Sequence, residues 1–313
     1  MSARSIPGGT HHLIYHDVRP HDDAFTRRIN STIAPDAFAR QLQQLQSVGE
    51  ICGSDAADAS GDRPRFVLWF DDAYRGVMEH AAPICAEHNV VAAVAVNSDF
   101  VQRKSCFWRC ELCWLLENHE AGEVARETLQ AEGLNATQIW RRTLLEFDDD
   151  LRQRIAKMYA AKAGTDQREA LHDLFMDESQ LRDLAGRGWM LGNHSATHPA
   201  ITNSTSWESV RDDFNRCGEY LKRIGGRDDV WVIPFDYSVV KDAVDSYREP
   251  LRSACSKFMR AFPFTDQRDK EFSRITIADG SDVLAQIQAA LTPAQDPGLL
   301  GRIGGFIRRR IKK

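Results

Sequence analysis

Two short segments carry residue types and spacings that can do chemistry. Asp71 and Asp72 directly follow the run FVLWF at 66–70, which reads as the C-terminal end of a strand, where parallel α/β architectures place their active sites. Neighbouring residues on an extended chain point opposite ways, so two adjacent carboxylates can do two jobs, one binding a metal and the other facing a substrate. Alone, such a pair reads as a solvated acidic turn. The second segment, WMLGNHSATHPA at 189–200, changes that balance by placing His194 and His198 four residues apart after another strand-like run. Four residues make one helical turn, so both imidazoles can converge on one ion from one face. Two histidines and an aspartate, with positions left for water and substrate, suit a catalytic divalent site; structural zinc usually has four closed protein ligands.

The elements that must position these groups alternate between short β-branched or aromatic runs and longer segments of helical period, the pattern of βα units around a parallel sheet. The expected strands are HHLIY (11–15), FVLWF (66–70), VVAAVAV (90–96), WMLGNH (189–194), WVIPF (231–235) and RITI (274–277). Helical spacing puts Phe38, Leu42, Leu45 and Val48 on one face of 36–48, and Val210, Phe214, Cys217, Leu221 and Ile224 on one face of 207–224. Small polar residues at 52–64 mark a surface connection. The stretch 103–178 breaks the rhythm with a charged helical pattern and reads as a helical insertion. Residues 298–313, GLLGRIGGFIRRRIKK, interleave apolar side chains with six basic ones, a composition that can sit on an anionic membrane surface.

With 313 residues, 42% of them apolar, the chain can bury a sizeable core as one elaborated barrel or two domains. Its 40 basic and 45 acidic side chains, a net charge of -5, leave no concentrated basic face for nucleic acid. No apolar run has the length of a secretory signal or a membrane span, and seven cysteines without regular pairing read as reduced thiols. The expected location is therefore the cytoplasm, with peripheral contact at the inner membrane face through 298–313.

FDDA at 70–73 resembles the TFDDG motif, and HSATHP at 194–199 the H-S/T-x-x-H-P motif, of the polysaccharide deacetylases, the NodB-homology group or carbohydrate esterase family 4. LIYHDV (13–18), the approach DESQLRDLAGRGWMLGNHSATHP (177–199) and WVIPFD (231–236) are similar to further parts of that domain, so the resemblance spans roughly 11–290. It implies a distorted (β/α) barrel of the NodB type over 1–290, interrupted by the insertion and followed by a basic amphipathic tail at 291–313. It also implies a metal-dependent hydrolase that removes an N-acyl group, N-acetyl in the first instance, from an amino sugar. Asp71 would be the general base. Asp72, His194 and His198 would hold a divalent ion, commonly zinc, with cobalt, iron(II) or manganese as alternatives, and the backbone N–H of Phe235 would face the oxyanion. Without an export signal, the expected substrate is a nucleotide-linked or lipid-linked glycan precursor.

The chain also departs from the pattern. Ala73 replaces the motif glycine, and Trp69 its threonine. Val232 and Ile233 stand where the family carries an arginine before the proline strand, leaving open what orients Asp71. No histidine follows His198, so the Leu-x-His element that supplies the general acid is missing, and SRITIADG (273–280) occupies its region. His16, at a strand end, is the expected substitute. Two rival readings stay open: an amidohydrolase acting on a non-sugar C–N bond, such as a formamide, and a non-catalytic member that binds glycan. Cys106, Cys110 and Cys113 resemble in spacing the iron–sulfur loop of radical S-adenosylmethionine enzymes, but they fall on one apolar face of a helical pattern, where cysteine behaves as a small hydrophobe. Trp108 and Trp114 are the tryptophans considered for a substrate lid.

Overall fold

The computed structural model describes residues 6–54, 62–145, 149–236, 241–261, 269–279 and 282–292. Its strands are β1 (Gly9–Tyr15), β2 (Asp17–Val18), β3 (Thr32–Ile33), β4 (Glu50–Ile51), β5 (Pro64–Phe70), β6 (Ala93–Val96), β7 (Met190–Asn193), β8 (Val230–Val232), β9 (Lys257–Arg260) and β10 (Glu271–Thr276). Parallel pairing runs from β5 through β6, β7, β8, β9 and β10 to β1, and β1 returns to β5 from Gly9↔Pro64 to Tyr15↔Phe70, closing a seven-stranded barrel. The expected distorted (β/α) barrel is therefore present. β4 pairs with the first half of β5, while β2 and β3 form a separate small pair.

Strands buried on both faces read as continuous apolar runs, and β5 shows why. Val67 and Trp69 join Ala93, Ala95, Val230, Val232 and Met259 in one apolar cluster, whereas Phe66, Leu68 and Phe70 pack with helical residues such as Phe38, Leu42 and Leu45. Trp69, which replaces the motif threonine, is accommodated by small neighbours: Gly192 on β7 lies so close that a Cβ there would come 3.0 Å from the indole. The indole Nε1–H donates to His12 Nδ1 at 3.1 Å. A bulky side chain thus fills the space beneath the site.

The helices are α1 (Pro35–Val48), α2 (Ala82–Glu87), α3 (Ser98–Val101), α4 (Trp108–Asn118), α5 (Ala121–Leu129), α6 (Ala136–Leu145), α7 (Asp149–Lys162), α8 (Thr165–His172), α9 (Glu178–Gly186), α10 (Trp207–Ile224), α11 (Lys241–Ser246), α12 (Arg248–Ala254) and α13 (Val283–Leu291). A π-helical turn, Val77–Ala81, leads into α2. α10 starts at the Ser206 cap, whose side chain accepts from Ser209 N–H, stops at Gly225 with φ +85°, and buries all five apolar residues expected on its inner face. On α1 the expected face holds except for Val48, the last residue of the helix, which is 37% exposed.

From α4 to α8 the chain is helical, and Leu112, Leu115, Val124, Ile139, Ile155 and Leu171 share an apolar cluster that also takes in Phe235 from the barrel mouth. The described strands depart from the sequence reading at several boundaries, those of β1, β5 and β10 among them, and the short strands β2, β3 and β4 were not expected. The run 90–96 pairs only from Ala93, Pro234 and Phe235 lie beyond the end of β8 in a turn, and β9 was not foreseen. The basic tail at 298–313 lies outside the described residues.

Candidate active site

The site is built at the C-terminal ends of β1, β5, β7 and β8. Asp71 N–H donates to Tyr15 O at 2.9 Å, so the β1–β5 pairing sets His16 and Asp71 side by side. Inward alternation along β5 carries Val67, Trp69 and then Asp71 toward the barrel interior. Asp72 then turns away with φ +71°, followed by Ala73 at φ +56°. That second angle explains why glycine suits the motif position Ala73 occupies.

His194 and His198 do converge, but not on a helix. Their segment is irregular, with Ser195 at φ +69° and His198 at φ +56°, and buried polar side chains hold it. Asn97 Nδ2 donates to the carbonyls of His194 and Ser195, and Asn193 Oδ1 accepts from Ser195 N–H. Asp213 of α10 accepts from the N–H groups of Ala196 and Thr197 at 3.0 and 3.1 Å, and Ser195 Oγ accepts from His198 N–H at 3.1 Å. Each backbone group in this strained turn that is named here has a partner, which is what allows such a conformation to persist.

Asp72 Oδ1 lies 3.4 Å from His194 Nε2 and 3.1 Å from His198 Nε2. The ligand atoms of the three residues fall within 4.8 Å of one another, and all three residues are buried. His194 Nδ1 meets Val232 O at 2.8 Å; since a carbonyl only accepts, Nδ1 carries the proton and Nε2 presents its lone pair toward Asp72. Among the described residues, Asp72 Oδ1 has no hydrogen-bond donor although it is buried. Two imidazoles facing an orphaned carboxylate oxygen make a donor set that fits a divalent cation. Burial lowers the pKa of His198 despite the pull of Asp72, which favours the neutral, ligating imidazole.

Asp71 has a different set of partners. Arg274 Nη1, on β10, donates to Asp71 Oδ1 at 2.7 Å, while Asp71 Oδ2 stands 3.9 Å from His194 Nε2. Burial pushes the Asp71 carboxyl up, but the Arg274 guanidinium, and behind it His194 and His16, outweigh burial and keep it below the ordinary value. Asp71 is thus an ionised carboxylate beside the metal-type cluster and turned from it by an arginine. Arg274 answers what orients Asp71, and sequence reasoning missed it. The available signal was a guanidinium at the start of RITI, since a charge that a barrel strand buries needs a partner.

The structure brings the remaining expected residues to the same mouth. His16 has Asp72, Asp71, His194 and Arg109 as its ionisable neighbours, and burial lowers its pKa against the pull of the two carboxylates. Phe235, at φ +48°, sets its ring edge-on to His198, with centroids 4.4 Å apart at 86°. Phe107 packs on the same imidazole at 4.8 Å, and Trp108 packs on Phe235 at 5.9 Å. The Arg109 guanidinium of α4 lies 5.9 Å from the Phe235 ring and 5.4 Å from Trp140. The helical segment therefore supplies one wall of the mouth through Phe107, Trp108 and Arg109. Trp114, the other tryptophan considered for a lid, is buried against Phe25 and Tyr159 instead.

The three thiols of C-x3-C-x2-C diverge. Cys106 precedes α4 and meets His172 Nδ1 at 3.4 Å, Cys110 meets the Tyr74 hydroxyl at 3.9 Å, and Cys113 accepts from Arg28 N–H at 3.4 Å. Burial raises all three pKa values, those of Cys106 and Cys113 to about 12. Neutral thiols with separate partners are core groups here, not a ligand set.

Comparison with known proteins agrees with this geometry. No curated protein sequence matches the chain. Its fold is similar to that of the deacetylase PplD from Streptococcus pyogenes, solved in complex with acetate, at 13% identity and a TM-score of 0.54 over 92% of this chain and 100% of that one. IcaB from Ammonifex degensii aligns with a TM-score of 0.55 at 14% identity, over 90% of this chain and 97% of its own. A de-N-acetylase from Aggregatibacter actinomycetemcomitans aligns at 0.54 and 13% identity, over 89% of this chain and 99% of its own. At these identities the likeness establishes the barrel. The family profile for polysaccharide deacetylases matches residues 58–252, more than half of the chain and the part that holds Asp71, Asp72, His194, His198 and Phe235; by that match the chain belongs to the polysaccharide deacetylase family.

Proposed function

We propose that the protein is a divalent-metal-dependent N-deacetylase acting on an amino sugar, and that its substrate is a nucleotide-linked or lipid-linked glycan precursor in the cytoplasm. The observation that carries the catalytic reading is the pairing of Asp71 with Arg274 directly beside the Asp72, His194 and His198 cluster. A binding module has no need of an ionised carboxylate held off the ligand set by a buried arginine, so the pairing favours a hydrolase over a non-catalytic member.

A divalent ion held by Asp72, His194 and His198, zinc in the first instance, supplies Lewis acidity toward water and the amide carbonyl. Asp71 accepts the proton of the attacking water, and Arg274 keeps it ionised and aimed. The Phe235 N–H donates to the carbonyl oxygen as negative charge develops there. His16 delivers a proton to the departing amine in place of the missing Leu-x-His histidine. The composition of 298–313 supports the lipid-linked substrate, because six basic residues among apolar ones favour an anionic inner leaflet.

The test is acetate release from a panel of nucleotide-linked, lipid-linked and polymeric N-acetylated sugars, with metal-free, zinc-loaded and cobalt-loaded protein. Release that requires metal and favours the linked precursors supports the proposal. Release from polymer alone would move the substrate away from precursors, and release of formate from N-formyl compounds alone would favour the rival amidohydrolase.

A further inference from the structure

We infer that Asp236 and Arg260 form a buried clamp that positions Phe235 for the proposed reaction; the inference rests on the reading of Phe235 N–H as the oxyanion donor. Phe235 holds φ +48°, a left-handed conformation that a bulky side chain adopts only when its surroundings enforce it. Its neighbours in sequence are Pro234, with no N–H to anchor, and Asp236.

The Asp236 carboxylate is only 2% exposed and is held from three donors. Arg260 Nε–H donates to Oδ2 at 2.7 Å, Arg260 Nη2–H to Oδ1 at 3.0 Å, and Ala261 N–H to Oδ2 at 2.7 Å. Arg260, fully buried on β9, is itself fixed by Nη1, which reaches Asp245 Oδ1 of α11 at 2.9 Å and Glu271 Oε1 of β10 at 3.2 Å. Arg248 of α12 completes the ring, with Nε 2.9 Å from Glu271 Oε2 and Nη2 3.1 Å from Asp245 Oδ1. Strand β9, strand β10 and both short helices therefore converge on the residue next to Phe235.

Apolar side chains of similar volume would pack this space at least as stably, since buried ion pairs seldom repay their desolvation. What a bidentate arginine adds is direction, because the planar fork accepts one orientation of the carboxylate. Fixing Asp236 anchors the Phe235–Asp236 peptide and so restricts the backbone angles of Phe235, through which its N–H and the ring that lies 4.4 Å from His198 are aimed. None of the charges in the ring is among the groups proposed to touch the reacting atoms, so Asp236 and Arg260 are positioning residues.

The test uses Asp236→Asn, which keeps size and loses the charge, with Arg260→Lys, which keeps the charge and loses the fork. For each folded variant we expect kcat to fall 10- to 100-fold, KM and zinc affinity to stay within threefold, and amide hydrogen exchange over 233–236 to quicken at least tenfold. Unchanged kcat and unchanged exchange would overturn the inference, as would a parallel loss of kcat, KM and zinc affinity, which marks a merely structural role. If Asp236→Asn fails to fold, Arg260→Lys supplies the same readings. If the wild type releases no acetate from any substrate, the reading of the reaction fails, while exchange and zinc affinity still decide whether the clamp holds the turn.

Discussion

Asp71 is asked to be both ionised and buried, and Arg274 at 2.7 Å reconciles the two. The cation offsets the penalty of burial and keeps the carboxyl below its ordinary pKa. Removing it in Arg274→Gln raises the pKa of Asp71, so the acidic limb of the kcat/KM profile moves to higher pH and activity at neutral pH falls; an unmoved limb would contradict the pairing. The same variant loses on the order of 3–5 kcal/mol of stability, as expected when one partner of a buried pair is deleted, measurable by urea unfolding. His16 is the other residue whose role is open to one substitution. A general acid contributes about 10²- to 10⁴-fold, so His16→Ala should lose that much kcat and also the basic limb of the profile, which lies below the ordinary imidazole value because burial lowers the pKa at which His16 gives up its proton. A loss of only a few-fold would remove His16 from the mechanism.

Elements rather than single groups decide where these residues sit, and the turns after β5, β7 and β8 are the expensive parts. Asp72, Ala73, Ser195, His198 and Phe235 all have positive φ without being glycine. Ala73 is not among the proposed ligands and holds φ +56°, where glycine carries no Cβ penalty, so Ala73→Gly should stabilise the protein by about 1 kcal/mol, seen as a higher midpoint of unfolding with kcat kept. A drop in stability would mean that the methyl group packs better than the backbone suffers. The same turns show what could be read in advance. Barrel strands such as β5 were legible because apolar residues on both faces leave a continuous run, and α10 because its cap, its periodicity and Gly225 agree. β9 was hidden because KFMR carries charges at both ends, and Arg260 is tolerable inside through carboxylates that lie 11, 15 and 24 residues away. The histidine spacing pointed to convergence correctly but to the wrong local geometry, since a helical turn and a pair of left-handed residues both bring positions four apart together. Arg274 escaped notice because its partner is 203 residues distant, beyond the reach of any local pattern.

Across the whole molecule, the barrel supplies the proposed metal ligands and base while the helices between β6 and β7 supply a wall, and the two share the apolar cluster around Phe107 and Phe235. That helical unit carries a charge of its own. Burial pushes the Glu111 carboxyl on α4 up to about 7 from 4.5, with Arg152 opposing. A raised folded-state pKa favours folding below the unfolded value and loses that contribution as pH rises, here between about 4.5 and about 7. Glu111→Gln should therefore be more stable than the wild type at pH 8, by on the order of 2–3 kcal/mol, and the advantage should shrink toward pH 5; an equal difference at both pH values would show that Glu111 is not buried as a charge. The division of labour at the mouth has a more direct test. Zinc-loaded wild-type protein and Asp71→Asn, matched for bound metal, are compared for acetate release from the best substrate of the panel. If Asp71 is the base and Asp72, His194 and His198 hold the ion, the variant keeps its zinc and loses at least a hundredfold in kcat. Equal turnover with equal metal, or zinc lost together with activity, would contradict that assignment.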